Sequence, residues 1–129
     1  KHDSYIFHQD HDFEVFLDPD GDILRRLKRT GQASRFENWP CYHTDLHTFA
    51  LAGKMVGIIG CVVGASFAVL VAEELFACGC RCVVSLTSAG QIVAPESPPY
   101  FVVIDRALRD EGTSYHYVAP SEFAEADPG

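Results

Sequence analysis

The stretch from Met55 to Thr87 constrains this chain more than any other. It opens on Met-Val-Gly-Ile-Ile-Gly-Cys-Val-Val, which is β-branched and apolar, and then crosses Gly64 into Ala-Ser-Phe-Ala-Val-Leu-Val-Ala-Glu-Glu-Leu, which is rich in helix formers. Gly79 is a natural helix stop, and Cys82 to Leu86 is a second short β-branched run. Strand, glycine turn, helix and strand in this order predict a βαβ crossover with parallel strands, and Cys61, Val69 and Val83 are predicted to be buried. The competing reading is a membrane span. Met55 to Ala72 carries no charge and is about long enough, and Gly60-x-x-x-Gly64 has a helix-dimerisation spacing. Three glycines crowded into its first half, and the change of character at Gly64, decide for a strand and a helix and against a membrane.

Upstream, Leu46 to Ala52 and Met55 to Val62 read as a hairpin around Gly53-Lys54. Asp18-Pro19-Asp20-Gly21 is turn chemistry. Asp20 or Asp22 is expected to cap a short helix running to Lys28 or Arg29 and ended by Gly31. Arg25, Arg26, Lys28 and Arg29 then form its solvated face. Residues 1–17 give mixed signals and receive no element; His8 and His11 are expected in a mobile terminus. Gln32 to Pro40 and Pro95 to Pro99 read as loops. Phe101 to Ala107 is predicted as a buried strand, and Thr113 to Tyr117 as a strand continuation or a structured loop. The segment 121–129 is acidic and lacks a core-forming pattern, so a flexible tail is expected there.

Length and composition bound the function. The 129 residues, 47% hydrophobic and 22% charged, suit one ordinary domain spanning 1–129. A net charge of −8 disfavours nucleic acid as a partner, because phosphate binding needs clustered Lys and Arg. Five cysteines are an odd number, and they fit reduced thiols in a cytoplasmic protein better than a disulfide framework. The start Lys1-His2-Asp3-Ser4 is polar, without the apolar segment of a secretory signal.

In parallel sheets ligands gather at the carboxyl ends of the strands, here Cys61 to Phe67 and Thr87 to Gln91. Gly60-Cys-Val-Val-Gly64-Ala-Ser66 lacks the ending of a P-loop, and reads either as a tight turn or as an anion-binding helix start. Thr87-Ser88-Ala89-Gly90-Gln91 reads either as an ordinary loop or as a turn small enough for a flat ligand. Cys41-x-His43-x-Asp45-x-His47 has the alternation of metal ligands on a strand, but satisfied polar side chains are the preferred reading and no metal is expected. Cys78, Cys80 and Cys82 read as core packing. Arg106 to Tyr117, with its charges, hydroxyls, tyrosines and His116, reads as a pocket edge or as a salt-bridged interface loop.

Taken together, Gly64 to Leu75, Ser85 to Gln91 and Arg106 to Tyr117 resemble the nucleoside phosphorylase/uridine phosphorylase family. Gly64-Ala-Ser-Phe…Glu-Glu-Leu75 is similar to its Gly-x-Pro-Ser loop and following helix, and Thr87-Ser-Ala-Gly90 to its Gly-Thr-x-Gly nucleoside turn. Arg109-Asp-Glu-Gly-Thr-Ser-Tyr-His-Tyr117 is similar to the segment after its next strand. The resemblance implies a three-layer α/β/α fold with a central mixed sheet, here incomplete, and a homo-oligomer. It implies phosphate-dependent cleavage of the N-glycosidic bond of a nucleoside, with phosphate as co-substrate and no metal or organic cofactor. By the same resemblance Ser88, Ala89, Gly90 and His116 would bind the nucleoside, and Gly64, Ser66 and Arg35 the phosphate. No catalytic residue is assigned.

The chain also departs from the family pattern. Ser85 stands where phosphorylases carry an Arg, Phe67 where they carry a phosphate-binding Ser, and no Gly-Asp-Pro loop is recognisable near the N-terminus. The half of the domain that carries the ribose-gripping Met-Glu segment lies outside this sequence. A nucleosidase, with water in place of phosphate, and a non-catalytic binding module are the alternatives.

Overall fold

The structure, a computed structural model, describes residues 13–93 and 96–128; His8 and His11 lie outside them. The chain divides into two compact units, Lys1–Ser88 and Ala89–Gly129.

In the first unit the expected hairpin forms between β3 (Leu46–Leu51) and β4 (Lys54–Gly60). Its two-residue turn has positive φ at both Ala52 (49°) and Gly53 (80°). That twist matches the strands it joins. A short β2 (Ser34–Arg35) adds antiparallel to β3. After Gly64 comes α2 (Ala65–Ala77), and then β5 (Cys82–Ser85). Gly79, at φ 101°, and Cys80 close α2 by donating to the carbonyls of Phe76 (3.0 Å) and Leu75 (2.9 Å), which satisfies the helix's last acceptors.

The crossover from β4 through α2 to β5 is present, but its strands are not neighbours. Between them lies β1 (Glu14–Asp18), parallel to both, in the order β2-β3-β4-β1-β5. Residues 14–18, whose mixed signals predict no element, thus form a central strand of a mixed sheet.

Alternation along the strands assigns the two faces. Val15, Leu17, Leu46 and Ile59 form one cluster with Val71 and Leu75 of α2. Phe49, Val56 and Ile58 form the other, packed against Ile23, Leu24 and Leu27 of α1 (Asp22–Arg29). One helix covers each face, giving the expected three layers. Burial corrects one expectation: Cys61 is exposed, and Val69 and Val83 are only half-buried, while Val62, Val71 and Leu75 are buried. Cys61 itself takes a left-handed φ of 62°, which turns it out of the strand before the chain dips back at Val62.

The helix cap also differs from expectation. Neither Asp20 nor Asp22 caps α1; the Asp18 carboxylate accepts the Leu24 N–H at 2.9 Å from the end of β1. Gly31 ends the helix as predicted, with φ 71°, and Gly31 and Gln32 donate back to Lys28 and Leu27.

In the second unit β6 (Arg106–Leu108) pairs antiparallel with β7 (Phe123–Glu125). The expected flexible tail is therefore corrected at residues 123–125. The predicted strand Phe101 to Ala107 is corrected too: Phe101 to Ile104 are exposed and outside any strand, because an apolar run becomes a strand only where a ladder partner reaches it. Thr113 to Tyr117 is a structured loop containing a 3₁₀ turn at Ser114–His116. Arg109 organises this unit. Its buried guanidinium donates to Ser114 Oγ (2.9 Å), Ser121 Oγ (2.8 Å) and the carbonyls of Ala119 (2.6 Å) and Val118 (3.2 Å). It also lies 4.5 Å from the centre of the Tyr115 ring. Glu111 accepts the Thr113 and Ser114 N–H groups, and the Ser114 contacts contribute most to holding its carboxyl below the usual range.

Candidate functional site

The parallel strands β4, β1 and β5 point the same way, so the loops that follow them emerge at one end of the sheet. These are 61–64, 19–21 and 86–88. Their junction is tied by Asp18, whose carbonyl accepts both the Gly21 N–H (2.9 Å) and the Cys61 N–H (2.8 Å). Gly21 sits at φ 72°, and a Cβ there would stand 2.7 Å from Cys61 Sγ, so only glycine lets these two loops approach.

On the other side, pairing of Leu17 with Ser85 continues one step further as the Leu86 N–H donates to the Leu17 carbonyl at 2.9 Å. This register delivers Thr87 and Ser88 to Asp20. One carboxylate oxygen, Asp20 Oδ2, accepts the Ser88 N–H (3.0 Å), the Ser88 hydroxyl (2.9 Å) and the Thr87 hydroxyl (3.2 Å). These donors favour the ionised form. The Ser88 N–H leads, the hydroxyls of Ser88 and Thr87 follow, and together they hold the Asp20 carboxyl below its ordinary value.

The expected site residues separate into groups. Ser88 lies in this cluster. Gly64, at φ 93°, precedes α2, and a Cβ on it would meet nothing within 4 Å; Ser66 is in the first turn of the helix and exposed. Ala89 and Gly90 follow Ser88 directly and are exposed, and they belong to the second unit, as does His116 in the 3₁₀ turn. Arg35 is not brought to the cluster: β2 is at the opposite edge of the sheet from β5, and Arg35 donates to Asp45 Oδ1 at 2.8 and 3.1 Å. Phe67 packs against the core, and Ser85 ends β5. Asp20, expected as a helix cap, instead accepts from the Thr87–Ser88 turn. Its signal was the alternation Phe13, Val15, Leu17, which marks a strand ending in an acidic turn.

This end of the sheet is acidic. Asp22 is paired with Arg25, and no ion pair among the described residues reaches Asp20. Among the described residues no group of three or more His, Cys, Asp or Glu is placed to hold a metal, so Cys41, His43, Asp45 and His47 do not converge. Among those residues, also, no helix is long and apolar enough to cross a membrane. All five cysteines are free thiols.

Residues 16–129 match the model of the phosphorylase superfamily. The fold is similar to two structures of uridine phosphorylase from Vibrio fischeri, one of them complexed with 6-hydroxy-1-naphthoic acid. The TM-scores are 0.70 and 0.69, with 22% identity over 88% of this chain in each case. The chain spans about half the length of these proteins, 46% and 47%. No curated protein matches the sequence.

Proposed function

The chain belongs to the phosphorylase superfamily, and from that premise we propose that it builds the N-terminal half of a site that cleaves the N-glycosidic bond of a nucleoside. The observation that carries this reading is the convergence of three loops, from β4, β1 and β5, on one end of the sheet. In this reading the turn Ser88-Ala89-Gly90 receives the nucleoside, and Gly64 and Ser66 face an anion at the start of α2. In the full-length protein, phosphate adds to C1′ as the C1′–N bond breaks, giving the free base and a pentose 1-phosphate. The remaining contacts come from residues beyond this sequence and from neighbouring subunits of a homo-oligomer in the cytoplasm, where five free thiols are at home.

A second reading, hydrolysis, is favoured by Asp20. An ionised carboxylate repels phosphate, yet it supports the positive charge that develops on the sugar as the base departs. Water then adds to C1′ in place of phosphate. The test is release of base from uridine, inosine and adenosine, with and without phosphate, by this chain and by its full reading frame. Release that requires phosphate supports the first reading, and release indifferent to phosphate selects the second. A full-length protein that releases no base either way would overturn both.

A further inference from the structure

We infer that Asp20 is a built-in anion, whose carboxylate occupies the donor set of the Thr87–Ser88 turn and thereby excludes free oxyanions, inorganic phosphate among them. The Ser88 N–H and hydroxyl converge on a single oxygen at 3.0 and 2.9 Å, and the Thr87 hydroxyl, whose one proton is shared with the Ser88 carbonyl at 3.2 Å, stands 3.2 Å from the same oxygen. A backbone N–H and a hydroxyl aimed at one point, with a second hydroxyl beside them, are the contacts that an oxygen of phosphate or sulfate would otherwise take. They are brought there by the sheet register, not by a local turn, since Asp20 and Ser88 are 68 residues apart in sequence.

The neighbouring carboxylates are committed elsewhere. Asp18 accepts the Leu24 N–H, and Asp22 pairs with Arg25. Asp20 is therefore the acid that faces the turn, and its hydrogen bonds hold it ionised at neutral pH. A free oxyanion meets two obstacles: its donors are taken, and a negative charge sits at their focus. Asp20 is thus a specificity-determining residue. Its consequence for catalysis rests on the nucleoside reading above, but the exclusion of anions does not.

The experiment measures binding of inorganic phosphate, with sulfate as a second oxyanion, to the chain, to Asp20→Ala and to Asp20→Ala/Ser88→Ala. Asp20→Ala should bind phosphate about tenfold more tightly or better, the scale of one charge-assisted hydrogen bond gained. The double variant should lose part of that gain, because the Ser88 hydroxyl is removed while its N–H remains. A folded Asp20→Ala that binds phosphate no better, or a gain undiminished by loss of the Ser88 hydroxyl, overturns the inference. A readout on the unsubstituted chain covers a variant that does not fold: the Ser88 amide resonance should follow the titration of the Asp20 carboxyl. Independent behaviour of the two would mean the contact is absent and would also overturn it. If Asp20→Ala gains phosphate while the full-length protein releases no base, the nucleoside reading fails and this inference stands. Base release with no gain of phosphate does the reverse.

Discussion

The Asp20 carboxylate and Ser88 meet twice at one oxygen, through the Ser88 N–H at 3.0 Å and its hydroxyl at 2.9 Å. Because these bonds favour the ionised acid, the folded-state pKa lies below the ordinary 3.8. The contribution to stability is therefore complete above the ordinary carboxylate range and is lost as pH falls through the folded value. Ser88→Ala should bring the Asp20 titration, followed by carboxyl carbon NMR, up towards its ordinary position. An unchanged titration would show that the contact does not form in solution.

His47 predicts a second pH dependence, of different origin. Its side chain is buried on the α1 face, and among the described residues its Nδ1 has no hydrogen-bond partner. Burial first, and then the positive charge of Lys28, hold its pKa below 6.5. The unfolded chain therefore binds the proton more readily. Stability should be full above about pH 6.5 and fall as pH drops from there to the folded value. In urea unfolding between about pH 7 and 5, His47→Gln should flatten this slope. A slope as steep as that of the unsubstituted chain would assign the effect to other groups.

Gly21→Ala should destabilise the first unit by about 1–3 kcal/mol, the combined scale of a left-handed alanine and an overpacked contact. The new methyl would sit 2.7 Å from Cys61 Sγ at a φ of 72°. Thermal unfolding of Gly21→Ala/Cys61→Ala, which removes Sγ but keeps a side chain at the left-handed φ of 62° there, should recover part of the loss. No recovery would place the cost in the backbone alone.

Arg109 should resist conservative replacement. Its guanidinium reaches three carbonyls and two hydroxyls in a fork that a lysine ammonium cannot reproduce. Arg109→Lys should speed hydrogen exchange across residues 106–125 nearly as much as Arg109→Ala. Full protection in the lysine variant would show that charge, not geometry, organises this unit.

The chain on its own should associate. Phe101 and Val103 are 92% and 94% exposed, beside the exposed Val102 and Ile104. Contiguous apolar surface of this kind drives contact between chains. Light scattering should show a mass that rises with concentration, and Val103→Asp should reduce the rise. A compact monomer at high concentration would count against it.

Much of the sheet was legible because its signals are local. The hairpin followed from Gly53 between two alternating runs, α2 from the composition after Gly64, and both helix ends from Gly31 and Gly79. Each is a backbone preference that a residue carries wherever it stands. Resemblance to the phosphorylase family was carried by short motifs, Thr87 to Gly90 and Arg109 to Tyr117, whose order survives in the chain.

What only the tertiary structure decided was adjacency. Nothing in Phe13 to Leu17 announces that it will lie between β4 and β5, since strand order depends on which apolar edges meet during packing. Once β1 is central, the acidic turn after it must face the Thr87–Ser88 turn, and Asp20 ceases to be a helix cap and becomes an acceptor for residues far along the chain. The same logic separates Arg35 from that cluster, because β2 joins the opposite edge. Local chemistry chose the elements of this protein; the packing of those elements chose which side chains share an oxygen.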